Sequence, residues 1–174
     1  MKKTRIVIAG CGPVGVVSAL ACAQHGYQVT LLEAETKIDD NPRAATTHPS
    51  TLEMIAEVGL IDRFIQEGLV ARYFQFWDKP ARAKIVEFDH EILRDETPFP
   101  FVVQTEQHKL VRMGIERLKT FADADVRFAT RVSDVRQDND GATVTAEGAN
   151  GREIFLADYV IGADGGRSTV RNGP

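Results

Sequence analysis

The chain has 174 residues, of which 43% are hydrophobic and 26% charged, and its formal net charge is −4. This composition is typical of a globular protein and excludes a disordered or fibrous chain. Lysine and arginine are scattered, which argues against nucleic acid binding. The sequence contains no unbroken apolar run of about 18 residues, so a membrane span is not predicted.

A strand, a glycine turn, a helix and a second strand are predicted within the first 33 residues. Residues 5–9 (RIVIA) are typical of a buried parallel strand, and 28–33 (QVTLLE) of a second one. Between them Gly10, Gly12 and Gly15 have the G-x-G-x-x-G spacing of a dinucleotide-binding turn.

The same opening also looks like a secretory signal peptide, with a basic start, an apolar centre and small residues over 19–23. The glycines and Pro13 would interrupt the helix of a signal peptide. Pro13 instead fits the first turn of a helix, and Gly26 is placed to end it. Two cysteines at opposite ends of one helix cannot pair, and unpaired thiols favour a cytoplasmic location.

Further along, a polar loop is predicted over 36–47, and Ser50 to Glu53 has the pattern of a capping box opening a helix that Gly59 ends. Phe74 and Phe76 alternate as one buried face of a strand would. Strands are predicted at 73–77, 83–88, 101–104, 125–128, 132–137, 142–146, 153–156 and 159–163, the last of them buried, and a helix at about 105–121.

The first glycine turn suits a pyrophosphate. Gly10 allows the tight turn, Gly12 lets the backbone approach the anion, and Gly15 lets the helix pack on the strand. Glu33 ends the second strand, where its carboxylate can bind an adenosine ribose and would repel a 2′-phosphate, so FAD or NAD is favoured over NADP. Cys11 lies at the helix N-terminus, which could lower its pKa.

A second turn follows the strand at 159–163. Asp164 is predicted at the carboxyl end of that strand, where open α/β sheets bind ligands. Gly165 permits close approach of a ligand, and Ser168 is a candidate helix cap.

With these motifs, the sequence resembles the N-terminal part of the FAD-dependent aromatic hydroxylases, the p-hydroxybenzoate hydroxylase-like flavoprotein monooxygenases. The resemblance covers essentially the whole chain. Besides the two turns it rests on Pro42-Arg43-Ala44, Ser50-Thr51-Leu52-Glu53, Val58-Gly59-Leu60, Gln104, and Ser168 with Arg171.

The resemblance implies a site for FAD, with NADH or NADPH as co-substrate. It places Arg43 along the ribityl and phosphate portion of the flavin, Gln104 near the same chain, and Asp164 near both FAD and the nicotinamide nucleotide. No metal ligand and no catalytic residue is predicted. The predicted cofactor-binding residues are Gly10, Gly12, Pro13, Val14, Gly15, Glu33, Ala34, Arg43, Gln104, Asp164 and Gly165.

The fold expected from the resemblance is α/β, a Rossmann-like FAD-binding domain with a three-layer ββα arrangement and an inserted antiparallel β portion. We expect one incomplete FAD/NAD(P)-binding domain over 1–174, with the start of a substrate-domain sheet inserted at about 70–104. The family continues beyond this length with most of that sheet and a third motif. The chain is therefore expected to be an N-terminal fragment, not competent alone and able to self-associate through exposed sheet surface.

The implied reaction is NAD(P)H- and O₂-dependent hydroxylation of a small aromatic substrate. Alternatives are another flavin reaction on the same fold, such as epoxidation, halogenation or reduction, or a non-catalytic dinucleotide-binding remnant. A plain NAD-dependent dehydrogenase fits less well, because the Arg43 loop and the second glycine turn do not belong to a simple nucleotide-binding repeat.

Overall fold

The computed structural model describes residues 3–41, 43 and 45–173 and divides the chain into two compact units. One unit comprises Met1–Asn41 with His108–Pro174, and the other comprises Pro42–Gln107. No helix in the described part of the chain is long and apolar enough to cross a membrane.

The first unit is built on a four-stranded parallel sheet of β1 (Arg5–Ala9), β2 (Gln28–Leu32), β8 (Ala124–Arg127) and β12 (Tyr159–Gly162). The order of the strands in this sheet is β12-β1-β2-β8. The predicted strands therefore form, but β12 lies at the sheet edge with Tyr159 67% exposed, so its predicted burial is wrong. An edge strand has a partner on one side only, and this leaves much of β12 accessible to solvent.

Helix α1 (Pro13–Gln24) packs against this sheet, with Val16, Ala19 and Leu20 fully buried. Pro13 is its first residue, and Gly26 follows its end with a φ of +79°, as predicted. The segment that looks like a signal peptide thus forms β1 and α1 of this unit.

A second helix, α4 (Gln107–Leu118), packs on α1 where Gly114 lies against Val16. A β-carbon on Gly114 would come within 2.6 Å of the Val16 side chain. The two helices therefore approach each other through a residue without a side chain.

An antiparallel meander supplies the third layer of this unit. It consists of β9 (Arg131–Asp138), β10 (Gly141–Gly148) and β11 (Gly151–Ala157). Apolar residues of the meander pack with residues of β1 and β2 in one buried cluster, formed by Val7, Leu32, Val135, Val144, Ala146 and Ala157. Helices, parallel sheet and meander form the predicted ββα layers.

The second unit combines two short helices with two small sheets. The helices are α2 (Pro49–Glu57) and α3 (Ile61–Glu67), and the strands of the larger sheet are β3 (Thr46–Thr47), β4 (Leu69–Ala71) and β7 (Val102–Gln104). The order of the strands in that sheet is β3-β7-β4. The sequence did not predict α3, β3 or β4.

The predicted capping box at the start of α2 is wrong. The helix begins at Pro49, with His48 as its N-cap, so Ser50 lies inside the first turn. Proline prefers the first helical position, and its fixed φ sets the helix start two residues earlier than the capping box predicts. Glu53 does not bond back to the cap; its carboxylate accepts a hydrogen bond from the Thr97 hydroxyl.

Strands β5 (Tyr73–Asp78) and β6 (Ala83–Asp89) form a separate two-stranded hairpin. Phe74 and Phe76 do alternate on one face, but each is 50% exposed, so the prediction that they form sheet core is wrong. The hairpin pairs with no further strand of the described residues, which leaves that face open to solvent.

Candidate functional site

The candidate site lies in the first unit, where three neighbouring parallel strands end. Register pairs Ala9 at the end of β1 with Leu32 of β2 on one side and Gly162 of β12 on the other. Ligands of open α/β sheets bind outside such carboxyl ends. A cavity of about 290 Å³ opens there. Its lining includes these predicted residues: Gly10, Gly12, Glu33, Ala34, Asp164 and Gly165.

The two glycine turns pack directly on each other. Gly10 has a φ of +98°, and a β-carbon on it would lie 2.4 Å from the carbonyl oxygen of Ala163 and 2.9 Å from the Cα of Asp164. A β-carbon on Gly15 would lie 1.9 Å from the carbonyl oxygen of Gly10. Neither position has room for a side chain, so the tight turn and the close helix–strand approach predicted from the spacing are present.

Gly12 differs from both, because a β-carbon on it would meet nothing within 4 Å. It is the N-cap of α1, and no side chain caps that helix through a hydrogen bond. Pro13 is the first helical residue, and Val14 is 67% exposed in the first turn. The structure thus leaves open space at the uncapped, partially positive end of a 12-residue helix.

Glu33 follows β2, and both of its carboxylate oxygens accept backbone hydrogen bonds. Oε2 accepts from the Cys11 N–H at 2.8 Å, and Oε1 accepts from the Glu35 N–H at 2.9 Å. Because each ionised carboxylate oxygen can accept more than one hydrogen bond, acceptor capacity for a ribose hydroxyl remains.

Cys11 lies between the first two glycines and is buried. Burial, reinforced by the negative charge of Glu33, raises the pKa of its thiol to about 12. The position at the helix N-terminus, which could have lowered this pKa, therefore does not do so. Loss of hydration and the nearby Glu33 charge both disfavour the thiolate.

Asp164 follows β12 and holds the second turn. Its Oδ2 accepts hydrogen bonds from the N–H groups of Thr169 at 2.7 Å and Val170 at 3.2 Å. Burial works to raise the pKa of Asp164, but the neighbouring Ser168 hydroxyl and these backbone N–H groups outweigh it, so the pKa lies below its usual value. Oδ1 is buried and accepts no hydrogen bond from the described residues.

Ser168 caps a short helix, α5 (Thr169–Asn172), as predicted. Its hydroxyl oxygen accepts a hydrogen bond from the Arg171 N–H at 2.9 Å. The Arg171 side chain in turn donates to the carbonyl of Gly166 at 2.7 Å. Within the second motif, Asp164, Ser168 and Arg171 therefore all hold the backbone of the turn.

Sequence reasoning missed Thr130, Arg131 and Arg167, which also line the cavity. Arg167 lies in the sequence between Gly165 and Ser168 of the second turn, and that position was the only signal for it. The first two residues reach the cavity because Ala129 turns the chain before β9 with a φ of +51°. A left-handed conformation at alanine has no sequence signature of the kind that glycine gives.

Two predicted residues, Arg43 and Gln104, belong to the second unit. Arg43 is exposed, and its neighbours Pro42 and Ala44 lie outside the described residues. Gln104 ends β7, and its side-chain oxygen accepts a hydrogen bond from the Thr46 hydroxyl at 2.9 Å. Their approach to a cofactor stays a prediction.

Comparison with known proteins identifies the family of this chain. A family model described as "FAD binding domain" matches residues 3–173. The chain is 33% identical over 169 residues to 6-hydroxy-3-succinoylpyridine 3-monooxygenase of Pseudomonas putida, covering 97% of this chain and 43% of that protein. It is 27% identical to para-nitrophenol 4-monooxygenase of a Pseudomonas species, covering 95% of this chain and 41% of the relative.

Solved structures show the same likeness. The p-nitrophenol 4-monooxygenase of Pseudomonas putida superposes with a TM-score of 0.91 at 28% identity, over 98% of this chain and 43% of that one. Aklavinone-11 hydroxylase, solved with FAD and aklavinone, superposes with a TM-score of 0.81 at 26% identity, over 99% of this chain and 35% of that one. The chain thus spans less than half the length of these relatives. The family match and the arrangement of both turns agree: this chain belongs to the FAD binding domain family.

Proposed function

We propose that this chain holds FAD, and that the cavity at the ends of β1, β2 and β12 takes the adenosine diphosphate part of the cofactor. The observation that carries the proposal is the convergence of both glycine turns and Glu33 on one cavity. A nucleoside diphosphate needs an anion cradle and a ribose acceptor side by side, and the cavity offers both.

The residues present fit such a group. The β-carbon position of Gly12 is empty, so a phosphate can approach the backbone at the start of α1. Oδ1 of Asp164 is a buried acceptor without a partner among the described residues, which suits a ligand that donates a hydrogen bond. Arg131 and Arg167 add positive charge to the lining.

In the proposed complex, N–H groups of the first turn of α1 bind the pyrophosphate, and Glu33 binds the adenosine ribose. Asp164 keeps the second turn in place through its bonds to Thr169 and Val170. When bound, FAD supplies the electron transfer from NADH or NADPH and the activation of O₂. Arg43 and Gln104 are proposed to bind the ribityl and phosphate portion.

The reaction proposed is hydroxylation of a small aromatic substrate. Supporting it, the relatives above carry names that describe monooxygenation of a hydroxylated pyridine and of a nitrophenol. This chain covers 43% and 41% of those relatives, and we propose that its part in such a reaction is to hold FAD. A cytoplasmic location is proposed with it, because both cysteines are free.

The test is a titration of the purified chain with FAD, followed by visible absorbance and flavin fluorescence, with ADP as competitor. We expect saturation at one FAD per chain and displacement by ADP. Gly12→Val fills the open space at the N-terminus of α1, so it should abolish binding of FAD and ADP while the circular dichroism spectrum stays unchanged. Absence of binding by both FAD and ADP to the folded wild-type chain would overturn the proposal.

We also propose that two copies of the chain associate through the open face of the hairpin. Phe74 pairs with Phe88 across the strands and Phe76 with Val86, so the centre of this face consists of two apolar pairs. The three phenylalanines are about half exposed and together present roughly 300 Å² of apolar surface. That area is typical of a contact surface but below the roughly 800 Å² per partner of a stable dimer, so weak association is expected.

Sedimentation velocity over a range of concentrations tests this association. We expect a rise in average mass with concentration that Phe74→Ser with Phe88→Ser removes. Ile92→Ser is the matched control, since Ile92 is 84% exposed in the same unit but outside the hairpin. A concentration-independent monomer mass for the wild type would refute self-association.

A further inference from the structure

Glu33 contacts the glycine turn without any ligand. Its Oε2 accepts a hydrogen bond from the N–H of Cys11, the residue between Gly10 and Gly12, at 2.8 Å. Cys11 is 4% exposed, so this N–H has little access to water. The carboxylate that the fold assigns to a ribose is therefore also a partner of the phosphate-binding backbone.

The backbone around Glu33 is held on both sides. Its N–H donates to the carbonyl of Arg127 at 2.8 Å, and its own carbonyl accepts from the N–H of Thr130 at 2.8 Å. The carbonyl of Glu35 accepts from the N–H of Ala129, also at 2.8 Å. The connection from β8 to β9 thus fixes the chain from which the Glu33 carboxylate extends.

The glycine turn has fewer restraints of its own. Gly10 donates to the carbonyl of Leu32 at 2.8 Å, and Val16 donates to Gly12 within the helix. Between these two bonds, the Cys11 N–H is bonded to the carboxylate alone among the described residues. Hydrogen bonds to charged acceptors are stronger than neutral ones, so removing this one should loosen the turn locally.

We propose that Glu33 is a positioning residue for the glycine turn, holding the pyrophosphate-binding backbone in shape before the nucleotide arrives. This inference rests on the proposed nucleotide site and deepens it. A turn already in its bound shape costs less conformational entropy on binding, so the carboxylate contributes to phosphate affinity as well as to ribose recognition.

The first test needs no ligand. Amide hydrogen exchange of the ¹⁵N-labelled chain measures the Cys11 N–H directly. In Glu33→Ala we expect exchange of this amide to speed up about tenfold to hundredfold, the range for loss of a bond to a charged acceptor. Glu33→Gln retains one acceptor oxygen, so its Cys11 exchange rate should lie between those of the wild type and Glu33→Ala. Glu35→Ala removes a neighbouring carboxylate that does not reach Cys11 and should leave exchange of this amide unchanged.

The second test separates turn positioning from ribose recognition. Binding of ADP is compared with binding of 2′,3′-dideoxy-ADP, which keeps the pyrophosphate and lacks both ribose hydroxyls. We expect Glu33→Ala to weaken binding of both nucleotides by about tenfold or more. A residue that served the ribose alone would leave the affinity for 2′,3′-dideoxy-ADP the same in the wild type and in the variant.

The outcomes are distinguishable. Unchanged Cys11 exchange in Glu33→Ala and Glu33→Gln, or unchanged affinity of Glu33→Ala for 2′,3′-dideoxy-ADP, would overturn the positioning role. If the wild-type chain binds neither nucleotide, the proposed site is wrong, and the exchange measurement still decides whether the carboxylate holds the turn. If Glu33→Ala does not fold, Glu33→Gln gives both measurements.

Discussion

Gly10→Ala tests whether the two glycine turns touch as the structure shows. The new β-carbon would lie 2.4 Å from the carbonyl oxygen of Ala163, and Gly10 has a φ of +98°. Left-handed backbone at alanine costs about 1–2 kcal/mol, and overpacking adds about 1–3 kcal/mol. We therefore expect Gly10→Ala to lower the free energy of unfolding by about 2–5 kcal/mol, a large part of the roughly 5–15 kcal/mol typical of a domain.

Gly26→Ala is the matched control for this variant. Gly26 also has a positive φ, +79°, but a β-carbon there would meet nothing within 4 Å. Gly26→Ala should therefore lower the free energy of unfolding only by the backbone contribution of about 1–2 kcal/mol. Urea unfolding followed by circular dichroism gives both values from the transition midpoints at constant slope. Equal losses for the two variants would refute the close packing of the turns.

Three further predictions concern individual site residues. Gly12→Ala should leave the free energy of unfolding from urea melts within about 0.5 kcal/mol of wild type, because its β-carbon enters open space. The same variant should weaken ADP binding in a calorimetric titration, and unchanged binding would contradict the proposed phosphate site at Gly12. Asp164→Asn should destabilise the chain at pH 7, because the folded state lowers the pKa of Asp164 below its ordinary 3.8 and so favours the ionised carboxylate. The difference in free energy of unfolding between this variant and the wild type should shrink as the pH falls through and below 3.8. Urea melts from pH 7 to pH 3 check this, and a difference that does not depend on pH would contradict it. In a Cys22→Ser background the Cys11 thiol should resist alkylation by iodoacetamide at pH 8. Adding Glu33→Gln should lower the pKa of this thiol, because it removes a nearby negative charge. Rapid alkylation of the Cys22→Ser chain that still has Glu33 would argue against the burial of Cys11.

The strand–turn–helix–strand unit was predictable because each part has a local cause. Glycines at fixed spacing, Pro13 at a helix start and β-branched runs act within a few residues of where they stand. The same reasoning located the second turn, since Asp164 and Ser168 bond to N–H groups only a few residues away.

Features that depend on distant parts of the chain were not predictable. The exposure of Phe74 and Phe76 is decided by the absence of a neighbouring strand among the described residues, and alternation alone cannot report that. The edge position of β12 likewise follows from sheet order. Arg131 reaches the cavity because Ala129 adopts a left-handed conformation. The raised pKa of Cys11 follows from its burial and from the charge of Glu33, which is 22 residues away in sequence.

The pairing of β1 with β12 has a consequence for the order in which the chain folds. Arg5 at the start of β1 bonds to Asp158, 153 residues later, through its backbone N–H at 2.7 Å and its guanidinium. Closing a loop of that length costs about 4.5 kcal/mol of chain entropy beyond a constant. Until Tyr159–Gly162 has been synthesised, β1 has one unpaired edge. The cavity at the ends of β1, β2 and β12 therefore forms only after this long-range pairing.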